Sequence, residues 1–173
     1  MNKVSKLGQL ADFVLYVTLQ LCVAQFVFLD RSVLCFVYVA FLLLLPSQQA
    51  GLPLILLISF SVGLLVDLFY HSMGVHAFAS VLMAYSRAIV LQFMLPTSSY
   101  DVATRPTPST LGWKLFSLFS LILIGMHHIV LFFLEAGSLM PFFVIMRKAI
   151  LSTLLTFAFV LATQGILFLV KRS

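Results

Sequence analysis

Gly63-Leu64-Leu65-Val66-Asp67-Leu68, followed by Gly74-Val75-His76-Ala77 and then Ala84-Tyr85-Ser86-Arg87, sets a carboxylate, an imidazole and a guanidinium inside or beside two long apolar runs. Hydrocarbon opposes this, since a charged side chain at the centre of a span costs roughly 2.5–3.5 kcal/mol on insertion scales. The spacing supplies the compensation. Ser59, Gly63, Asp67 and His71 recur every four residues, as do His76, Ser80, Ala84 and Ala88, so each set forms one helix face. Two antiparallel helices joined by a tight turn at 72–74 would bring the faces together. The small residues would let the backbones approach closely, and the polar groups would turn away from lipid. Asp67 also stands four residues before His71, a spacing that permits a hydrogen bond within the helix.

Working outward, the chain has 173 residues, 62% hydrophobic and 9% charged, with a mean hydropathy of +1.17. A soluble domain of this length could not hide so much apolar surface, so the composition reads as an integral membrane protein. Six apolar runs lie near residues 9–29, 32–46, 52–70, 75–95, 111–134 and 142–170. They predict about six transmembrane helices in one all-α bundle, a single polytopic domain over 1–173. A span needs about 20 residues, with about 17 as the lower bound. The second run is short, since only 32–45 lies between Arg31 and Pro46. It must borrow from its flanks, tilt little or shelter among its neighbours. The alternating ten-residue segments of a membrane barrel are missing from the sequence.

Lys and Arg near the helix ends set the orientation. With six spans, Lys3, Lys6, Arg105, Lys114, Lys171 and Arg172 share a side, against Arg31, Arg147 and Lys148. That predicts both termini in the cytoplasm, together with a loop at 96–110. The net charge of +5 reflects the same bias and gives no reason to expect nucleic acid as a partner. The first run is too long for the core of a secretory signal and has no small-residue cleavage site after it, so it reads as an uncleaved span. Cys22 and Cys35, in the first two predicted helices, read as packing thiols rather than a disulfide. Two prolines in Arg105-Pro106-Thr107-Pro108 argue for extended chain there. The loop reads as a solvated connector, with a docking segment as the alternative. Trp113 beside Lys114 reads as an interfacial anchor.

Arg87 falls one turn from Ala84 and two from Ser80. It reads as an interior cation that orders the bundle or binds an anion; the competing reading is a side chain snorkelling to the headgroups. Direct pairing with Asp67 is not expected, because along the hairpin the two differ in depth by on the order of 10 Å. His127, His128 and Glu135 belong to the outer half of the fifth helix, and Asp67, His71 and His76 to the same depth of theirs. Zinc accepts such ligands, but no H-E-x-x-H occurs and adjacent histidines point about 100° apart on a helix. Hydrogen bonding between helices is the preferred reading, and no cofactor is expected. Neither a rhomboid-type G-x-S-x-G nor the second embedded aspartate of an intramembrane aspartyl protease is present, so nothing points to an enzyme. Thr153, Thr156, Thr163 and Gln164 read as packing or backbone-bonded residues.

Taken in order, Gly63-Leu64-x-x-Asp67-Leu68, Gly74-x-His76-Ala77 and Ala84-Tyr85 resemble the third and fourth helices of the MreD family, small membrane components of the bacterial cell-elongation (rod) system. His127-His128 with Phe132-Phe133-Leu134-Glu135-Ala136 resembles the form found in Bacteroidetes. Length, six predicted spans and the Pro-containing loop agree, so the resemblance covers nearly the whole chain. It implies a non-catalytic scaffold of the bacterial inner membrane, embedded in membrane lipids and associated with the single-pass protein MreC. Through MreC it would join MreB, RodA and the elongation-specific penicillin-binding transpeptidase, positioning peptidoglycan synthesis and maintaining cell shape. The family's helical fold is similar to the substrate-binding subunits of energy-coupling-factor transporters. That likeness supplies the alternative, a vitamin-binding transporter subunit with an outer-half cavity near Asp67, His76 and His128.

Overall fold

A computed structural model of the protein describes residues 6–26, 33–45, 51–95, 105–137 and 142–170. Six helices follow one another: α1 (Lys6–Phe26), α2 (Tyr38–Leu44), α3 (Gly51–Tyr70), α4 (Val75–Met94), α5 (Pro108–Ala136) and α6 (Phe142–Val170). No strand occurs among the described residues. Helices α3 to α6 are long and apolar enough to cross a membrane, as expected of a multi-pass membrane protein. Four expected stretches lie outside the described residues: the turn at Asp30-Arg31, 46–50, 96–104 and most of the turn after Gly137. So do Lys3, Lys171, Arg172 and the side chain of Lys6.

The expected helix over 32–46 is corrected. Residues 33–36 are not helical, and α2 has only seven residues. At 1.5 Å per residue it is about 10 Å long, far short of the roughly 30 Å of a hydrocarbon core. Cys35 accordingly sits in non-helical chain rather than in a helix. Every residue from Cys35 to Leu45 is nevertheless buried, with α1, α4 and α5 packed around α2. The reason lies in composition. Cys35–Leu45 has no polar face, and an element apolar all round is stable only when covered all round. Shelter among neighbours, one of the three ways open to a short run, is the one used.

Helices α3 and α4 form the expected hairpin. His71 and Gly74 take positive φ values of 53° and 81° and reverse the chain within four residues. Gly63 sits where a Cβ would lie 2.5 Å from the Ala77 Cα and 2.6 Å from the His76 carbonyl oxygen. Only hydrogen fits there, and the helices touch through backbone.

The start of α5 corrects another expectation. Pro108 does not prevent a helix but opens one, where its missing N–H costs nothing. Thr107 and Thr110 cap that first turn reciprocally. Gly112, at φ 75° and ψ 153°, then breaks the helix in a region of backbone space nearly reserved for glycine. Beyond the break Trp113 lies edge-on to Phe168 of α6, with ring centroids 5.9 Å apart. Asp12 pairs with Arg105, and Gln164 donates to the Tyr16 hydroxyl at 3.0 Å. The early part of α1, the start of α5 and the end of α6 therefore share one end of the bundle. Ser72 and Glu135 meet at the other.

Candidate functional site

The Asp67 carboxylate is aimed across the hairpin, at the first turn of α4. Its Oδ1 accepts from the His76 N–H at 3.0 Å and from the Ser72 hydroxyl, and Oδ2 accepts from the Ala77 N–H at 2.9 Å. A helix begins with N–H groups that lack partners within it, and a carboxylate opposite the positive end of its dipole satisfies both. The Asp67–His71 bond that the spacing permits does not form, because His71 is in the turn and exposed. Ser59, Gly63, Ser80 and Ala84 are buried as the spacing predicts, whereas His71 and Ala88, at the ends of the two stripes, are exposed. Gly74 has open space around its Cα, so it is there for its left-handed backbone rather than for close packing.

The histidines converge on a residue that sequence reading passed over. The hydroxyl of Tyr38, in the fully buried α2, lies 3.1 Å from Nδ1 of His76 and 2.8 Å from Nε2 of His127. A phenol carries one proton, so Tyr38 donates to one ring and accepts from the other. His128 turns elsewhere, with Nδ1 2.8 Å from the Ile124 carbonyl and Nε2 3.4 Å from the Thr156 hydroxyl. The two adjacent histidines thus serve different neighbours, as their angular separation requires. Phe36 sits among them, its ring centroid 4.9 Å from that of His76 and 5.4 Å from that of His128.

Side chains from distant helices hold the non-helical stretch before α2. The Leu34 N–H donates to Ser152 Oγ at 2.9 Å and the Phe36 N–H to Thr156 Oγ1 at 3.1 Å. Gln20 accepts from the Tyr38 N–H and donates to the Cys35 carbonyl and to the Tyr70 hydroxyl. Irregular backbone persists at membrane depth only where protein satisfies it, and these three side chains do so. At the far end of α2 the carbonyls of Leu44 and Leu45 accept from Arg105 and Arg87, cations placed where a helix dipole is negative. Arg87 is 2% exposed, so the interior reading holds and the snorkelling one does not. Glu135 takes no part in the histidine cluster. It forms an ion pair with Lys148 at 3.1 Å, and the Lys148 ammonium also lies 4.5 Å from the Phe132 ring centre.

Two polar stripes carry these contacts, and both have helical spacing: Asp12, Tyr16 and Gln20 in α1, and Ser152, Thr156 and Gln164 in α6. The same four-residue rule that picked out α3 and α4 could have found them. No group of three or more His, Cys, Asp or Glu side chains placed to hold a metal ion occurs among the described residues. Comparison with protein-family models, curated proteins and solved structures gives no match to this chain.

Proposed function

We propose that the protein is an MreD-like scaffold of the bacterial cell-elongation complex, lying in the inner membrane with both termini in the cytoplasm. It would hold a single-pass MreC-like partner and, through it, MreB, RodA and the elongation-specific transpeptidase, and so position lateral-wall synthesis. Beyond the resemblance, one observation supports this reading. Four embedded polar residues spend their chemistry on neighbouring elements: Asp67 on the start of α4, Arg87 on the end of α2, and Ser152 and Thr156 on the chain before α2. A bundle that uses its polar groups to fix its own shape is suited to presenting a defined surface. That surface is apolar, with Leu57, Phe93 and Phe143 more than half exposed.

The transporter-subunit alternative is less well supported. Small-molecule sites usually occupy about 300–1,000 Å³, whereas the cavity at the His76 end is about 50 Å³.

The test is brief crosslinking in native membranes, followed by capture of the tagged chain and mass spectrometry. Recovery of an MreC-like protein with wall synthases is expected. Recovery of paired ATPase subunits with a coupling membrane protein would replace the scaffold by a transporter.

A further inference from the structure

The outward face of α4 differs from those of its neighbours. Tyr85 stands ten residues after Val75 in this 20-residue helix, about 15 Å from its start and so near the middle of a hydrocarbon core of roughly 30 Å. Its side chain is 50% exposed, and its hydroxyl makes no hydrogen bond among the described residues. That is too deep for the interfacial belts in which tyrosines usually sit, and a lone hydroxyl facing hydrocarbon is unfavourable. The neighbouring helices avoid the problem. On α3 the exposed Ser61 hydroxyl donates to the Leu57 carbonyl of its own helix at 2.9 Å, and on α5 the exposed Leu118, Leu121, Ile122 and Ile129 are aliphatic. Tyr85 also belongs to a pattern. Phe78, Tyr85 and Gln92 recur every seven residues and are all exposed, with the half-buried Leu82 and the exposed Ile89 between them. Alternating steps of four and three form the seam of two parallel helices that cross with a left-handed twist. Helices α2, α3 and α5 cover the rest of α4, and nothing among the described residues covers this seam.

We propose that the chain forms a two-fold dimer in which α4 lies parallel to α4 of a second copy along this seam. Two copies inserted alike in a membrane are related by an axis along its normal, so each seam residue faces its own counterpart. A stripe can dock on itself in this way only if it is self-complementary, and this one is. A phenol and a carboxamide each donate and accept, so Tyr85 pairs with Tyr85 and Gln92 with Gln92. No seam residue is charged, so the pairing sets no like charges together. Phe78, Leu82 and Ile89 supply the apolar packing at the other levels. The exposed face of α6 lacks this property, because it begins with Arg147 and a two-fold seam there would oppose two cations. The dimer goes beyond the scaffold reading and does not rest on it.

The test begins with single-molecule photobleaching of the full, singly labelled chain in phosphatidylethanolamine–phosphatidylglycerol vesicles over a range of dilutions. Two-step bleaching that falls away on dilution is expected; single steps at every dilution would overturn the dimer. Tyr85→Phe combined with Gln92→Leu should weaken association at least about threefold, and an unchanged dilution curve would overturn the seam. Neither substitution removes a hydrogen bond made among the described residues, and the wild-type measurement stands whatever the variant does. Disulfide crosslinking in native membranes then identifies the neighbour, in a Cys22→Ala background because Cys22 is an exposed thiol. Phe78→Cys should give a product of twice the chain's mass, and Leu118→Cys on α5 should not. A Phe78→Cys adduct with a different protein, and none with itself, would assign the face to a foreign helix and overturn the proposal.

Discussion

In the α3–α4 hairpin the hydrogen bonds that matter span nine or ten positions of sequence, from Asp67 to the N–H groups of His76 and Ala77. In the stretch 33–45 they span up to 120, from Phe36 to Thr156. Both regions bury polar backbone within a membrane-type bundle, and both meet the same demand that no such group be left without a partner. The hairpin meets it locally: the residue that terminates one helix cap is carried by the helix just completed. The chain around α2 cannot, because its own side chains are almost all apolar. It borrows acceptors from α1 and α6 and donors from the two arginines. Periodicity exposes the first solution, while the second is visible only once distant helices are placed side by side.

The largest expected effect would break the hairpin. Gly63→Leu drives a side chain into the Ala77 backbone. Overpacking typically costs about 1–3 kcal/mol where side chains can yield, and more where the obstacle is backbone. Folded protein should be lost from membranes and from size-exclusion profiles in detergent. Accumulation at wild-type levels would mean that the helices are not in backbone contact.

Asp67→Leu comes next, since it strands two buried N–H groups at about 1–3 kcal/mol each. Asp67→Asn keeps one acceptor and should melt between Asp67→Leu and the wild type. A reversed order of the two melting temperatures would show that the carboxylate is not the cap.

The matching experiment on the other region is Ser152→Ala with Thr156→Val, which removes the acceptors of Leu34 and Phe36. A loss of about 1–3 kcal/mol per orphaned N–H is expected. Ser61→Ala is the control, because the exposed Ser61 hydroxyl donates to the Leu57 carbonyl of its own helix, and it should stay within about 0.5 kcal/mol. If double variant and control melt alike, the non-helical stretch is not held by α6.

Smaller effects sharpen the picture at the edges. Gly112→Ala forces a side chain into the conformation at φ 75° and ψ 153° and should cost about 1–3 kcal/mol, read as a lower melting temperature. Lys148→Ala should move stability by about 1 kcal/mol or less, because the Glu135 pair is exposed. A larger shift would assign the cation–π contact with Phe132 a greater role than its exposure suggests.

Read alone, the sequence sufficed to show that the chain is helical and apolar enough for a membrane, to pair α3 with α4 through small residues and to turn Asp67 inward, while it left Arg87 between an interior and a snorkelling role that burial in the bundle decided. Those conclusions rest on solvent cost and four-residue spacing, both properties of local sequence. Tertiary structure alone decided that 33–36 stays non-helical, that α2 is a buried seven-residue helix, and that Tyr38 joins His76 to His127. The physical reason is that an apolar run has no preferred side, so its conformation is set by whichever neighbours can satisfy its backbone. Asp67 and His71 make the same point on a smaller scale. Their spacing allowed a bond, but the unpaired N–H groups at the start of α4 were the stronger claim on the carboxylate.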